Sequence, residues 1–296
     1  MRRMSALPAR PAVPPWPRLL TRGAALLAIA VLAVHAVIAV AAIAQNWYFF
    51  DARGYWDTGL SLRNGGELYP PVVDQDDPFV YRYAPWFAWL WVGLTFVPQE
   101  IVFVGWGLVL AGASAWLLWQ LPRDGTGLVL GLIFGPMLLR VVSQGNVQPL
   151  MVAALAWGLL RASGPLWVGA AASLKLVPIL FAALYLVRRE YARAAVSLAL
   201  TIALWLPALA YGLSDYPTSV GGEAFPFGWL TFAIAAVGLA AVFMAPSRYR
   251  TLAAGLAVTF ASPRWIPYNP SYLLVGLPRT SQQDPQTAPE RGPRGR

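Results

Sequence analysis

The sequence predicts an all-α, polytopic membrane protein, a helix bundle of about ten membrane segments with a long first external loop. Of its 296 residues, 58% are hydrophobic and 12% are charged, whereas soluble domains have about a quarter charged residues. Mean hydropathy is +0.54. Apolar runs such as Gly23–Ala44 reach the roughly 20 residues that span a bilayer. These observations exclude an ordinary cytosolic domain.

Composition also limits the chemistry. The chain has no cysteine and one histidine, which excludes thiolate metal sites, cysteine nucleophiles and histidine-based triads. The net charge is +9, but the basic residues lie in short segments between apolar runs. They are therefore topology signals, and no nucleic-acid partner is expected.

The first segments set the predicted orientation. Residues 1–22 contain five arginines and no acid, which predicts a disordered, cytoplasmic N-terminus. The helix Gly23–Ala44 should then run from inside to outside. Because this run is longer than a signal-peptide core, we expect it to be retained.

The segment Gln45–Tyr83 holds six of the 13 acidic residues, and we expect it to lie outside. Within it, Arg53–Leu62 predicts a short interfacial helix with Trp56 and Leu60 on one face. The sequence Asn64-Gly65-Gly66 is a turn signal that ends this helix.

The remaining runs complete the predicted membrane domain, residues 23–278. They are Ala84–Val97, Ile101–Trp119, Leu128–Val142, Val147–Leu160, Pro165–Val187, Ala194–Tyr211, Gly228–Ala245, Thr251–Ala261 and Tyr272–Leu277. Counting each run as one crossing places the following basic sites inside: Arg188, Arg189, Arg193, Arg248, Arg250 and a disordered tail, 279–296. Asp215 and Glu223 fall outside. The agreement is weakest between Arg123 and Arg161, where one re-entrant segment would shift the local topology.

Asp51 follows the first helix in a run of aromatic residues. A carboxylate beneath aromatic rings is partly desolvated, which makes it a better general base. The alternative is a helix N-cap, which alone would explain an aspartate at this position. Asp57 points some 120° away on a helix, so it should not pair with Asp51 and is a secondary candidate for substrate binding.

Asp74, Asp76 and Asp77 are hard oxygen ligands at close spacing, the type that binds divalent cations. A solvated acidic loop is the commoner meaning of such a run. We therefore predict no metal site and no cofactor.

Lys175 is the one lysine of the chain and lies inside an apolar run. An intramembrane ammonium is costly unless it is paired or hydrated, so it is either a structural salt-bridge partner or a phosphate ligand. Pro178 nearby is expected to open the helix. Amides interrupt two other runs at Asn146 and Gln148, where they finish a turn or bind sugar hydroxyls.

Tyr81 and Arg82 precede the second apolar run in Tyr81-Arg82-Tyr83-Ala84-Pro85-Trp86. This pattern is typical of an interfacial anchor. Arg82 is in addition a candidate contact for an anion.

Taken in order, these elements resemble a known family. Asp51, Tyr55, Gly65-Gly66, Leu68-Tyr69-Pro70, Phe79-Val80-Tyr81 and Pro85 are similar to the first external loop of the bacterial polyprenyl-phosphate-mannose-dependent alpha-(1-2)-mannosyltransferases, glycosyltransferase family 87. Gly145-Asn146-Val147-Gln148 resembles the family's Gly-Gln-Val-Asn element, and Lys175-Leu176-Val177-Pro178, followed by Tyr185 and Arg188-Arg189, resembles its Lys-Leu-Thr-Pro stretch. The resemblance covers roughly Asp51 to Arg193.

The resemblance implies the GT-C architecture, in which a membrane helix bundle carries an active site on its external face. It implies an inverting transfer of a sugar, mannose, from a polyprenyl-phosphate donor to an envelope glycolipid or glycan at the plasma membrane. Asp51 matches the loop aspartate that acts as general base. Lys175 or Arg82 would stabilise the leaving phosphate, and Tyr81, Asp57, Asn146 and Gln148 complete the expected substrate-binding set.

Two other classes remain open from the sequence. A transporter or flippase of a lipid-linked sugar would also use an intramembrane cation and aromatic clefts, but it gives no reason for the acidic external loop. In an inactive accessory subunit, the polar residues would be packing contacts.

Overall fold

The computed structural model describes residues 16–44, 49–70, 79–211, 229–262 and 267–277. Every regular element in these ranges is a helix, which confirms the all-α prediction. The α-helices are α1 (Trp16–Ala44), α2 (Phe50–Arg63), α3 (Pro85–Leu94), α4 (Gln99–Trp119), α5 (Gly125–Gln144), α6 (Gln148–Gly158), α7 (Gly164–Leu174), α8 (Ala183–Val187), α9 (Tyr191–Trp205), α10 (Trp229–Met244) and α11 (Ser247–Ala261). Short 3-10 helices occupy Val177–Ala182, Leu206–Tyr211 and Asn269–Val275. The predictions for residues 1–15, Asp215, Glu223 and the tail lie outside the described residues.

Three helical segments of the described chain are long and apolar enough to cross a membrane: Gln99–Trp119, Gly125–Gln144 and Tyr191–Tyr211. Shorter apolar helices run over Ile29–Ala41, Val177–Val187 and Phe232–Met244. This finding indicates membrane association. The predicted count of ten crossings is not confirmed.

α1 begins at Trp16, within the segment 1–22 for which the sequence predicts disorder. Pro17 occupies the first turn, where its missing N–H costs nothing, and the Leu and Arg residues that follow are good helix formers. The helix exposes large apolar side chains along its length, including Leu26, Ile29 and Val37. Such a surface suits contact with lipid.

α2 confirms the predicted short helix and its end at the Asn64-Gly65-Gly66 turn, where Gly65 has a φ of 80°. Trp56 and Leu60 lie one turn apart on this helix, and Trp56 is 8% exposed whereas Leu60 is 37% exposed. The backbone of Gly59 lies so close to Trp91 that a Cβ would meet the Trp91 carbonyl carbon at 2.8 Å. This close approach packs α2 against the helix that carries Trp91.

Two apolar runs do not cross the bundle once each. α3 has 10 residues, about 15 Å of helix, and its rings contact α2 and the first part of α4, with Trp91 5.4 Å from Trp106. The run Pro165–Val187 breaks at Lys175 and returns. Its two ends meet, because a Cβ on Gly164 would collide with the Tyr185 hydroxyl.

These two corrections change which segments share an end of the bundle. Phe49 donates its N–H to the carbonyl of Ser143 at 2.7 Å, and Lys175 contacts Gln148 at 3.0 Å, so Asp51 and the 143–148 connector lie at one end. We call this the Asp51 end. The α6–α7 and α8–α9 turns, which carry Arg161, Arg188 and Arg189, lie together at the opposite end, here called the arginine end.

Candidate active site

Asp51 is held at the start of α2 by contacts on both sides. The N-cap is Phe49, in the left-handed conformation with a φ of 57° and with no side-chain cap. The N-cap interpretation of Asp51 is therefore wrong. Phe49 is buried and packs edge-on against Phe103, with ring centroids 5.2 Å apart. Because this anchor is fixed, the half-buried Asp51 carboxylate faces Asn146, which donates a hydrogen bond to it.

The connector between α5 and α6 is built around Gly145, which has a φ of 71°. A Cβ there would meet the Cβ of Ala52 at 2.6 Å and the Phe49 ring at 3.1 Å. Trp106 donates its indole N–H to the Gly145 carbonyl at 2.7 Å. The connector is thus a turn, as one interpretation held, and it presses directly against the helix that carries Asp51.

The two amides of this connector are fully buried, with Asn146 1% and Gln148 0% exposed. The Asn146 Oδ1 accepts the backbone N–H of Gln148 at 2.9 Å, which stabilises the turn. Its Nδ2 donates to the Tyr268 hydroxyl at 3.1 Å and reaches the Tyr83 hydroxyl at 3.5 Å. The Asn146 oxygen therefore stabilises the turn, and its nitrogen bonds the hydroxyls of the polar cluster.

Lys175 ends α7 in an extended conformation, with φ −140° and ψ 119°. It lies at a break in the apolar run and not inside a helix, with Pro178 in the 3-10 helix that follows. Its Nζ donates to the Gln148 Oε1 at 3.0 Å and lies 4.7 Å from the centroid of the Tyr268 ring. In the described residues the one contact ion pair joins Arg193 to Glu190, so Lys175 makes no structural salt bridge there.

The segment after α11 completes the cluster. Gln148 donates its Nε2 to the Ser271 hydroxyl at 3.2 Å and accepts the Tyr272 hydroxyl at 3.3 Å. Together with Tyr268, these residues enclose Lys175 and both amides. Sequence reasoning missed all three, because it counted Tyr272 in an apolar run and assigned no role to Tyr268 or Ser271. The polar sequence Tyr268-Asn269-Pro270-Ser271-Tyr272 was the available signal.

Three tyrosines, Tyr55, Tyr81 and Tyr83, and Arg82 lie on the remaining side of the polar cluster around Asp51. Tyr55 donates to the Tyr83 hydroxyl at 2.9 Å. Arg82 is half-buried, donates to the Val80 carbonyl at 3.2 Å, and acts electrostatically on Asp51. The Tyr81 hydroxyl donates to the Ala84 carbonyl at 2.9 Å and its ring lies 5.7 Å from that of Tyr83. Tyr81 therefore packs against Tyr83 and supports the cluster indirectly.

Asp57 does not join the cluster. Its side chain is exposed, as expected for a residue on another face of α2 than Asp51. The limited desolvation that remains at this surface position raises the pKa of Asp57, and the charge of Arg53 opposes that rise.

The pKa of Asp51 is raised to about 6. Burial is the largest cause and disfavours the charged form. The charge of Lys175 opposes it most strongly, followed by the Asn146 hydrogen bond and the charge of Arg82. A carboxylate with this pKa is ionised at neutral pH and remains a much stronger base than an exposed aspartate.

The described residues contain no group of three His, Cys, Asp or Glu side chains that would hold a metal ion. Asp74, Asp76 and Asp77 lie outside the described residues. The divalent-cation interpretation of that run thus stays a sequence-based hypothesis.

The structure brings together five of the seven predicted site residues: Asp51, Arg82, Asn146, Gln148 and Lys175. Tyr81 lies behind them and Asp57 lies apart. Comparison with protein-family models, with curated proteins and with solved structures finds no match to this chain.

Proposed function

We propose that the chain is an integral membrane glycosyltransferase. It moves a sugar, mannose by the family resemblance, from a polyprenyl-phosphate donor to an envelope glycolipid or glycan acceptor, with inversion. The observation that supports this most directly is the meeting of one carboxylate, Asp51, with one ammonium, Lys175, in a cluster lined by amides and tyrosines. They come from separate segments, so the fold itself assembles the pair.

In this reaction Asp51 takes the proton from the acceptor hydroxyl. The acceptor oxygen forms a bond to C1 of the sugar while the bond between C1 and the phosphate oxygen breaks. The electron pair of that bond leaves with the polyprenyl phosphate. An attack from the face opposite the leaving group gives the inverted product.

Lys175 and Arg82 supply the positive charge that the leaving phosphate needs, since fixed cations in a water-poor site stabilise developing negative charge. Lys175 is suited to this because an amide oxygen and an aromatic ring hold its ammonium without neutralising it. Arg82 lies within electrostatic range of the Asp51 carboxylate.

The amides provide the polar contacts for the sugar. Asn146 bonds both Asp51 and Tyr268, and Gln148 bonds Lys175, Ser271 and Tyr272. Each amide thus links a charged residue to the hydroxyls around it. A sugar hydroxyl can replace a tyrosine or serine hydroxyl in these hydrogen bonds, because it donates and accepts in the same way.

The distribution of charge supports an external active site at the plasma membrane. Arg161, Arg188 and Arg189 lie at the arginine end of the bundle, opposite Asp51. Positively charged loops stay in the cytoplasm. The Asp51 end then faces outward, where a lipid-linked sugar donor replaces nucleotide sugars.

A transfer assay tests the proposal. Membranes containing the chain receive radiolabelled polyprenyl-phosphate mannose or, in parallel, radiolabelled nucleotide-linked mannose. The proposal predicts label in a new glycolipid or glycan from the lipid-linked donor alone. Movement of intact donor across the membrane without a new glycosidic product would instead indicate the flippase class.

A further inference from the structure

Four arginines from two turns meet at the arginine end of the bundle. Arg161 lies in the α6–α7 turn, Arg188 and Arg189 lie between α8 and α9, and Arg193 lies in the first turn of α9. The Arg193 guanidinium donates to the backbone carbonyl of Arg161, which ties the two turns together. It also lies 4.5 Å over the ring of Tyr185, and Arg188 is within electrostatic range of the same side chain.

The charge of this cluster is not balanced. Among the described residues its one acid is Glu190, whose carboxylate lies 2.6 Å from Arg193. Arg161, Arg188 and Arg189 are exposed, and the described residues give none of them a carboxylate partner. The Arg193 Nε is buried and has no acceptor. Within the described part of the chain, four positive charges against one negative charge leave a surface that attracts anions.

Arg189 adopts a backbone conformation that arginine rarely takes. Its φ is 60°, and it follows the end of α8, where Glu190 donates its N–H to the Tyr185 carbonyl at 2.8 Å. Glycine is the favoured residue at this left-handed helix-ending position. Arginine adopts this conformation at a conformational cost, and its exposed side chain adds to the positive charge of the two turns.

Large apolar side chains are exposed on and near these two turns. The Arg161 guanidinium lies 4.1 Å over the ring of Trp157, which is 43% exposed. Leu160, Leu166 and Leu186 are exposed beside the same turns. A ligand for this surface therefore combines an anionic group with hydrocarbon.

We propose that Arg161, Arg188 and Arg189, on the two turns that Arg193 ties together, bind the phosphodiester headgroup of an anionic phospholipid. Guanidinium groups bind phosphate oxygens in pairs, and basic residues next to membrane helices attract anionic lipids. The acyl chains lie along Trp157 and the exposed leucines. This site is separate from the Asp51 cluster, so it stands whether or not the chain transfers sugar.

Thermal unfolding of the purified full chain in detergent tests this site. The micelles contain dioleoyl phosphatidylglycerol, dioleoyl phosphatidylcholine, or no lipid with soluble glycerol phosphate added. Phosphatidylglycerol should raise the Tm by roughly 5 °C above phosphatidylcholine. Glycerol phosphate should have little effect, because it has no acyl chains.

Two variants locate the effect. Arg189→Gly should keep or raise the lipid-free Tm, because glycine fits a φ of 60°, and yet lower the gain from phosphatidylglycerol. Combined with Arg188→Gln, it should remove most of that gain. The control is Arg123→Gln, since Arg123 also lies over a tryptophan, Trp119, at 5.0 Å but stands beside Asp124 and outside the cluster.

Equal stabilisation by the two phospholipids would overturn the proposal. So would a full gain from phosphatidylglycerol in the Arg188→Gln, Arg189→Gly variant, or an equal loss in Arg123→Gln. An effect of glycerol phosphate as large as that of the lipid would show a simple phosphate site in place of a lipid site.

Discussion

Asp51 and Lys175 carry opposite charges in one polar cluster, and yet the described residues form no contact ion pair between them. Asp51 is bonded by an amide, and Lys175 by another amide and a ring. A direct ion pair would lower the basicity of the carboxylate and shield the cation. Their separation by Asn146 and Gln148 leaves both groups available to a substrate.

The pH dependence of transfer follows from the raised pKa of Asp51. Only the ionised carboxylate accepts a proton, so kcat/KM should fall as the pH decreases through about 6 and approach a tenfold loss per pH unit below it. Initial rates between pH 4.5 and 8 measure this limb. Asp57→Asn should show the same limb as the parent, and a rate that stays flat down to pH 5 would argue against Asp51 as the base.

Lys175→Met should reduce kcat/KM by about 10²-fold or more, because in the proposed reaction it removes a cation that stabilises the leaving phosphate. Folding should change little, since the Tyr272 hydroxyl still satisfies the Gln148 Oε1. Tm values with and without polyprenyl phosphate measure both effects. Lipid-dependent stabilisation should be present in the parent and absent in the variant, while Lys175→Arg should retain part of it.

A Lys175→Met variant that unfolds, or one that keeps its full stabilisation by polyprenyl phosphate, contradicts the phosphate role. The first result would indicate that the Lys175 ammonium stabilises the fold through its contacts with Gln148 and Tyr268.

At the scale of elements, the 143–148 connector determines where α2 begins. Gly145 has both a left-handed backbone and no room for a Cβ, which would meet Ala52 at 2.6 Å. Gly65 also has a positive φ, 80°, but nothing lies within 4 Å of its Cβ position. A substitution at Gly65 therefore tests backbone strain alone, whereas one at Gly145 tests strain and close packing together.

Gly65→Ala should cost about 1 kcal/mol of stability from backbone strain alone. Gly145→Ala should cost about 3 kcal/mol or more, since displacement of α2 is added to the strain. It should also reduce transfer, because Asp51 moves with α2. Tm and initial rate measured on both variants check this, and equal losses would show that the connector does not position the helix.

The sequence predicts elements well where local signals decide them. The turn at Asn64-Gly65-Gly66 and the short helix after Asp51 depend on local residues, and both are present. The hairpin that replaces one crossing at Pro165–Val187 depends on which ends meet in space, such as Gly164 and Tyr185. Tyr268 and Ser271 reach the site through contacts across more than 120 positions, 122 and 123 respectively, which no local pattern reveals.

The whole molecule departs from the predicted topology at two places, and each changes the number of crossings by one. The segments after Val187 therefore keep their predicted sides. α3 stays at the Asp51 end, and the run Pro165–Val187 goes in and returns. Arg123 and Arg161 consequently share an end with Arg188 and Arg189. One crossing per run would have separated Asp51 from Asn146 and Gln148 on opposite faces of the membrane.

Cysteine accessibility tests this arrangement, because the chain has no native cysteine. Asn64→Cys and Ala162→Cys both replace exposed residues. An impermeant maleimide should label Cys at 64 in intact cells and Cys at 162 only after permeabilisation, since arginine-bearing turns stay inside. Labelling of position 162 in intact cells would support one crossing per run and contradict the arrangement.

We propose that Asp51 acts as the base in sugar transfer from a polyprenyl-phosphate donor. The initial rates of label transfer by Asp51→Asn and by Asp57→Asn at pH 7.5, at matched amounts of folded protein, test this role. We predict a loss of about 10²–10⁴-fold for Asp51→Asn, a rate near that of the parent for Asp57→Asn, and a Tm for Asp51→Asn no lower than that of the parent. Equal rates for the two variants, or a loss in Asp51→Asn that follows the loss of folded protein, would contradict it.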